Sequence, residues 1–113
     1  MDTYDCHDDP ELQRKLEHEP SYRAFAHCVR AVDRTPAHFF RQGGGLDVPG
    51  FRAEVGGMSG GERRLMYAAL QLFNSDIDPG EVGLKHVPLD ELVCNLGAEL
   101  NQVLVEALAL RRP

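Results

Sequence analysis

Apolar side chains recur at helical spacing along most of this chain and almost nowhere alternate as they do in a strand. The pattern is strongest over about 88–111, where the apolar positions step alternately by four and by three residues. These positions are Leu89, Val93, Leu96, Leu100, Val103, Ala107 and Leu110. The spacing predicts one long helix whose apolar stripe faces a core.

Three further helices are predicted from capping residues and from the same spacing. The first begins at Asp9-Pro10, because aspartate caps a helix well and proline fits its first turn. The second covers about 20–34, with an apolar face made by Tyr22, Phe25, Ala26, Val29 and Val32. The third covers about 60–74 and follows Ser59, which together with Glu62 matches a capping box.

Glycine is concentrated in the middle of the chain. Eight of the 11 glycines lie between Gly43 and Gly61, so residues 42–58 are predicted to form a Gly-rich loop, with a short extended piece at 51–55. A short helical turn is expected just before this loop, at about 36–41. The predicted fold class is therefore all-α: residues 1–113 form a small single-domain helical bundle of four main helices with a Gly-rich central loop.

Composition narrows the classes of function. The net charge of −6 argues against non-specific nucleic-acid binding, and no apolar run is long enough to span a bilayer. Residues 1–8 are acidic, lack the apolar core of a secretory signal and are expected to be a mobile tail. Three widely spaced cysteines do not make a disulfide framework. We therefore expect a cytoplasmic protein without a membrane partner.

A cationic ridge on the second predicted helix is the first candidate binding surface. Residues 21–41 carry four arginines against one aspartate. The cationic side chains are spaced by four, three and four residues, which stacks them on one helix face: Arg23, His27, Arg30 and Arg34. This ridge suits nucleic-acid phosphates or an acidic protein surface. The alternative is neutralisation within the protein, either by Glu11, Glu17 and Glu19 or by the C-terminal acids.

The segment Met58–Arg64 reads MSGGERR, and it resembles the signature motif of ABC-type ATPases. In that family the motif contacts a nucleotide phosphate at a helix N-terminus. The resemblance implies a nucleotide site only beside a phosphate-binding G-x-x-x-x-G-K-[ST] loop, and this chain has no such loop. A capping box accounts for the same residues, so no cofactor is predicted. The polar face of this helix is a second candidate binding surface, made by Arg63, Arg64, Tyr67 and Gln71.

Candidate metal ligands and catalytic groups lack the spacing that their chemistry needs. Cys6-His7 and His27-Cys28 are adjacent pairs, and adjacent side chains on a helix point about 100° apart, which does not make a compact chelate. No nucleophile elbow or zincin motif is present. We therefore predict no metal site, no catalytic residue and no enzymatic activity. A small metal-binding protein or an enzyme ranks third among the functions considered.

The last predicted helix carries the third candidate surface. Val105 and Leu108 extend its apolar positions onto a second flank, and Gly97 in its middle indicates close approach of another backbone. An apolar flank of this kind favours a protein partner or a homodimer formed through the C-terminal helix.

The sequence thus predicts a non-catalytic protein–protein interaction module, a small acidic cytosolic regulator, inhibitor or accessory subunit. Ten of the 12 basic residues are arginine, which suggests a GC-rich coding genome and an origin in a bacterium, phage or mobile element. The alternative function is a nucleic-acid-binding protein that uses the Arg23, His27, Arg30 and Arg34 ridge.

Overall fold

The computed structural model describes residues 9–112, so the predicted acidic tail at 1–8 lies outside the described residues. Within this range the fold is all-α, as predicted, with six α-helices and two 3₁₀ turns, Pro36–Phe39 and Pro79–Val82. The helices are α1 (Pro10–His18), α2 (Pro20–Ala31), α3 (Val48–Gly56), α4 (Gly60–Phe73), α5 (Leu89–Asn95) and α6 (Gly97–Arg111). Not one of these helices is both long and apolar enough to cross a membrane.

Two of the predicted helix starts, those of α1 and α4, are confirmed by their side-chain caps. The Asp9 carboxylate accepts a hydrogen bond from the Leu12 amide at 3.0 Å, which satisfies a free N–H of the first turn of α1. At α4 the Ser59 hydroxyl accepts from the Glu62 amide at 3.2 Å, while the Glu62 carboxylate accepts from the Ser59 amide at 2.9 Å. Both halves of the capping box are therefore formed.

The core is organised around an aromatic cluster on α2. All five phenylalanines of the chain and Tyr22 take part in it. Phe25 is fully buried at its centre, and its ring lies 5.4–5.8 Å, between centroids, from four other rings: Phe39, Phe40, Phe51 and Phe73. Because these rings come from four different segments, the cluster joins α2 to the 3₁₀ turn, to α3 and to α4.

The helices pack around α2 and α4. α2 contacts α1, α4 and α6, and α4 in turn contacts α6 and α5. Six consecutive α4 residues, Leu65 to Leu70, are buried, so this helix is covered on nearly every side. The sequence pattern predicted a one-sided helix there, because tyrosine and alanine on its second face do not by themselves indicate burial.

The prediction of a loop over residues 42–58 is wrong in its second half, which forms α3. Asp47 caps this helix by accepting from the Gly50 amide at 3.1 Å, and a proline lies in its first turn. Phe51 and Val55, one turn apart, bury their side chains, so the expected extended piece at 51–55 is helical. The many glycines concealed a helix that tertiary packing of these two side chains stabilises.

The predicted helix over 88–111 is also wrong as a single unit, because it is divided into α5 and α6 at Leu96-Gly97. Gly97 adopts φ = +83°, a conformation that favours glycine, and a Cβ added there would meet nothing within 4 Å. Glycine is therefore needed for this backbone conformation and not for close approach of another backbone. The break turns Leu89 and Val93, both predicted to be core residues, towards solvent, and they are 75% and 53% exposed.

Candidate functional site

The cationic ridge is partly neutralised within the protein. His27 Nε2 lies 2.8 Å from Glu106 Oε1 on α6, and this hydrogen bond, followed by one from Gln102, lowers the pKa of the Glu106 carboxyl. α2 ends at Ala31, so Arg34 is not on the helix and instead reaches Glu54 of α3 at 3.5 Å. The three acids expected to neutralise the ridge from the N-terminal side lie instead beside basic residues of α1: Glu11 beside Lys15, Glu17 beside His18, and Glu19 beside Arg14.

The other two ridge cations remain on the surface. Arg23 and Arg30 are exposed on α2, and their side chains make no hydrogen bond or ion pair with any residue in the range 9–112. The four predicted residues therefore do not form one row of unpaired cations. The Glu106 carboxylate lies 2.8 Å from His27, and Arg34 pairs with Glu54 on α3.

Two residues of the predicted polar face of α4, Arg63 and Arg64, hold neighbouring helices in place. Arg63 donates to the Val55 and Gly56 carbonyls at 3.1 and 3.0 Å, at the C-terminal end of α3. Arg64 reaches the Asn95 carbonyl, at the end of α5, at 3.5 Å. A cationic donor at a helix C-terminus satisfies free carbonyls and interacts favourably with the helix dipole. These two guanidinium groups thus hold α3 and α5 against the start of α4.

Tyr67, predicted to be an exposed binding residue, is buried. Its hydroxyl oxygen lies 2.9 Å from His86 Nδ1, and the two rings meet edge to face with centroids 5.7 Å apart. This hydrogen bond holds the non-helical segment 84–88 against α4. Gln71, one turn further along α4, lies beside this contact and is half-buried.

An apolar groove opens between α4, α5, α6 and the segment that precedes α5. Its volume is about 390 Å³. Its lining is mostly aliphatic: Tyr67, Ala68, Gln71, Leu72, His86, Val87, Pro88, Leu89, Leu92, Leu104 and Leu108. This groove brings together three of the predicted binding residues, Tyr67, Gln71 and Leu108, from two surfaces that the sequence analysis treated separately.

Two of the four large exposed apolar side chains of the described residues line this groove. The four large ones, Leu89, Val93, Val105 and Leu108, all belong to α5 or α6. Leu89 and Leu108 line the groove and remain 75% and 48% exposed, whereas Val105, predicted with Leu108, is 59% exposed but does not line it. Apolar surface that is left open around a concave site is typical of interaction sites.

A cationic cavity of about 470 Å³ adjoins the groove. It is lined by Gly60, Arg63, Arg64, Gly83, Leu84, Lys85, His86, Val87 and Glu91. Two of these residues, His86 and Val87, also line the apolar groove, so the two concavities meet at this point of the chain. Together the groove and the cavity form a composite surface that is apolar at one end and is lined at the other by Arg63, Arg64 and Lys85.

The sequence pattern did not predict a site at Lys85, His86 or residues 87–89. Lys85 and His86 lack helical spacing from any other cation, and Leu89 was assigned to a buried stripe. The one signal that could have indicated a different position for α5 is Gly97, since a glycine inside a helical pattern can mark a break.

The described part of the chain does not bring the candidate metal ligands together. Among residues 9–112 no three histidine, cysteine or carboxylate side chains lie close enough to hold a metal ion. His27 pairs with Glu106, Cys28 is buried behind it, and Cys6 and His7 lie outside the described residues.

Cys28 is a buried thiol, and burial raises its pKa to about 12. Above pH 9 the unfolded thiol loses its proton while the folded one keeps it, so stability falls as pH rises from about 9 towards 12. We expect wild-type protein to lose about 1 kcal/mol more unfolding free energy than Cys28→Ala between pH 8 and pH 10, measured by urea denaturation under reducing conditions.

Cys94, whose thiol is exposed, provides the matched control for this measurement. Cys94→Ala is expected to keep the full pH dependence of the wild type. Equal pH dependence in wild type and Cys28→Ala would contradict a proton held on the buried thiol.

Comparisons of the chain with known proteins found no relative. No protein-family model, no curated protein and no solved structure matches the chain. The surface of the protein is therefore the basis for its proposed function.

Proposed function

We propose that the protein is a non-catalytic interaction module that binds an apolar segment of another protein in the groove between α4, α5 and α6. The observation that carries this proposal is the position of Leu89 and Leu108, which line the groove and leave much of their apolar surface in water. Covering such surface is favourable by roughly 25 cal/mol per Å².

The shape of the rim favours a protein segment over a small molecule. Small-ligand sites usually enclose most of the ligand surface. A small molecule on the floor of this groove, against Tyr67 and Leu72, would leave the outer faces of Leu89 and Leu108 in water. A helix or extended segment of a partner lying across the groove would cover the floor and both rims together.

The chemistry of the groove supports binding more than catalysis. Its lining includes two titratable side chains, Tyr67 and His86, and they are hydrogen bonded to each other. A regulator, an inhibitor or an accessory subunit acts by occupying its partner and needs no reactive group of its own. This is the role that we assign to the module.

The rival function, nucleic-acid binding by the α2 ridge, has weaker support. Glu106 and Glu54 place negative charge beside His27 and Arg34. A phosphate backbone approaching Arg23 and Arg30 would meet the first of these carboxylates, which weakens the electrostatic attraction on which such binding depends.

A pair of α6 variants tests the proposed groove. Leu108→Gln places an amide at the groove rim, whereas Val105→Gln makes a similarly exposed change outside the lining. Because both side chains are exposed, both variants should fold with stability within about 0.5 kcal/mol of wild type. Each protein is immobilised and exposed to lysate of its native host, and the captured proteins are quantified by mass spectrometry.

We expect a specific partner to be captured by wild type and by Val105→Gln, and to be reduced roughly tenfold by Leu108→Gln. Capture that is equal for all three proteins contradicts the groove as the binding site. Light scattering on the same three proteins, purified and free in solution, tests the homodimer predicted from the last helix. A wild-type dimer that Leu108→Gln dissociates would make a second copy the occupant and overturn the proposal of a different partner.

A further inference from the structure

The cationic cavity beside the groove carries positive charge that the described part of the protein does not pair with carboxylates. Arg63 and Arg64 donate to backbone carbonyls, which satisfies hydrogen bonds without cancelling charge. Lys85 is exposed and makes no hydrogen bond or ion pair with any residue in the range 9–112. The lining contains one carboxylate, Glu91, against these three cations.

This local excess of positive charge contrasts with the net charge of −6 for the whole chain. Three like charges around one cavity repel one another, and an incoming anion relieves that repulsion. The N-terminal end of α4, where Gly60 lines the same cavity, already carries the Glu62 carboxylate of the capping box, so the positive charge of the cavity comes from the three side chains. The cavity is therefore complementary to negative charge, whereas the adjoining groove is complementary to apolar surface.

Both concavities share His86 and Val87, so a single continuous ligand is able to contact both. We propose that the partner segment is an acidic amphipathic peptide whose apolar side chains fill the groove and whose carboxylates bind at Arg63, Arg64 and Lys85. This inference rests on the proposed function and specifies the chemistry of the partner. Guanidinium groups suit carboxylates well, because their paired N–H donors match the two carboxylate oxygens.

The adjoining apolar groove distinguishes an acidic peptide from a nucleic acid. A polyanion without apolar side chains gains nothing from Leu72, Leu92 or Leu104, and beyond the cavity it meets a negatively charged protein. An amphipathic peptide uses both parts of the surface. Its apolar face supplies most of the affinity, and its carboxylates set its direction and register.

A selection from a random 16-residue peptide display library tests the inference and does not require the natural partner. Peptides are selected on immobilised wild-type protein, and the enriched sequences are synthesised. Their dissociation constants are then measured by fluorescence anisotropy for wild type, Lys85→Glu, Arg23→Glu and Leu108→Gln. Lys85 and Arg23 are both exposed, and neither side chain has a partner in the described range, so the two variants are structurally matched. Each replaces one cation by one anion and therefore changes the net charge by the same amount.

We expect the enriched peptides to combine apolar residues at helical spacing with aspartate or glutamate near one end. Lys85→Glu should weaken their binding roughly tenfold, since one attraction becomes a repulsion, while Arg23→Glu should change it less than twofold. Binding should also weaken as salt rises from 50 to 300 mM, and the loss should be smaller for Lys85→Glu than for wild type.

The variants separate failure of this inference from failure of the proposed function. Peptides that require Leu108 but show no acidic enrichment and bind Lys85→Glu normally overturn the inference and leave the groove proposal intact. Peptides that are indifferent to Leu108→Gln, or the absence of any enriched sequence, overturn the proposed function. Loss of binding on Arg23→Glu alone would place the anion-binding surface on α2 and overturn both.

Discussion

Phe25→Ala is expected to lower the unfolding free energy by about 3–5 kcal/mol, which is a large part of the stability of an ordinary domain. Phe25 is fully buried and contacts the rings of Phe39, Phe40, Phe51 and Phe73. Removing its ring takes away buried apolar area and leaves a cavity that four separate segments border. Urea denaturation followed by circular dichroism measures the loss.

Two further substitutions calibrate this result. Phe25→Leu keeps most of the buried volume, so it should cost clearly less than the alanine variant. Val93→Ala removes an exposed apolar side chain from α5 and should change stability by less than about 0.5 kcal/mol. A cost below about 1 kcal/mol for Phe25→Ala would show that the aromatic cluster is not the centre of the core.

Asp9→Ala is expected to cost about 2 kcal/mol, more than the loss of an ordinary helix cap. The buried Asp9 carboxylate accepts from the Leu12 amide at 3.0 Å and, across 34 residues, from the Gly43 amide at 2.7 Å. It therefore caps α1 and connects that helix to the backbone at Gly43. Alanine leaves both amides without this acceptor, and hydrogen exchange at the Gly43 amide should accelerate together with the loss of stability.

Asp47→Ala serves as a comparison. The Asp47 carboxylate accepts from the Gly50 amide of its own helix, α3, and from no other residue in the range 9–112. It should cost about 1 kcal/mol. Asp9→Asn, which retains a side-chain oxygen as acceptor, should lose less than Asp9→Ala. If Asp9→Ala and Asp47→Ala cost the same and Gly43 exchange is unchanged, the long-range hydrogen bond contributes nothing to stability.

Local sequence signals predicted the fold correctly where an element depends on a few neighbouring residues, as helix caps and apolar helix faces do. Asp9-Pro10 and Ser59 placed helix starts that the structure reproduces, since capping depends on the few residues around a helix end. The apolar face of α2 was predicted for the same reason, because its spacing matches one side of a helix. Phe39 and Phe40, on the short turn, are buried in the core.

The errors arose where distant contacts overrode a local preference. Glycine-rich composition predicted a loop over 48–56, yet Phe51 and Val55 gain enough burial, in the aromatic cluster and beside the 3₁₀ turn Pro79–Val82, to stabilise a helix. The heptad pattern across 88–111 predicted a straight helix, yet Gly97 adopts a positive φ that ends it. A single glycine costs only about 1 kcal/mol in a helix, so the pattern alone did not reveal the break.

By itself the sequence determined the helical class, the helix starts and the candidate side chains, because caps and apolar spacing act over a few residues. It identified Arg63, Arg64 and Leu108 as surface candidates but assigned them to separate faces. Only the tertiary structure decided that these side chains border one composite surface, since the helix is broken at Gly97, α5 contacts α4, and the Tyr67–His86 hydrogen bond holds the segment before α5 against α4. Residues far apart in sequence share a site only after such long-range contacts form.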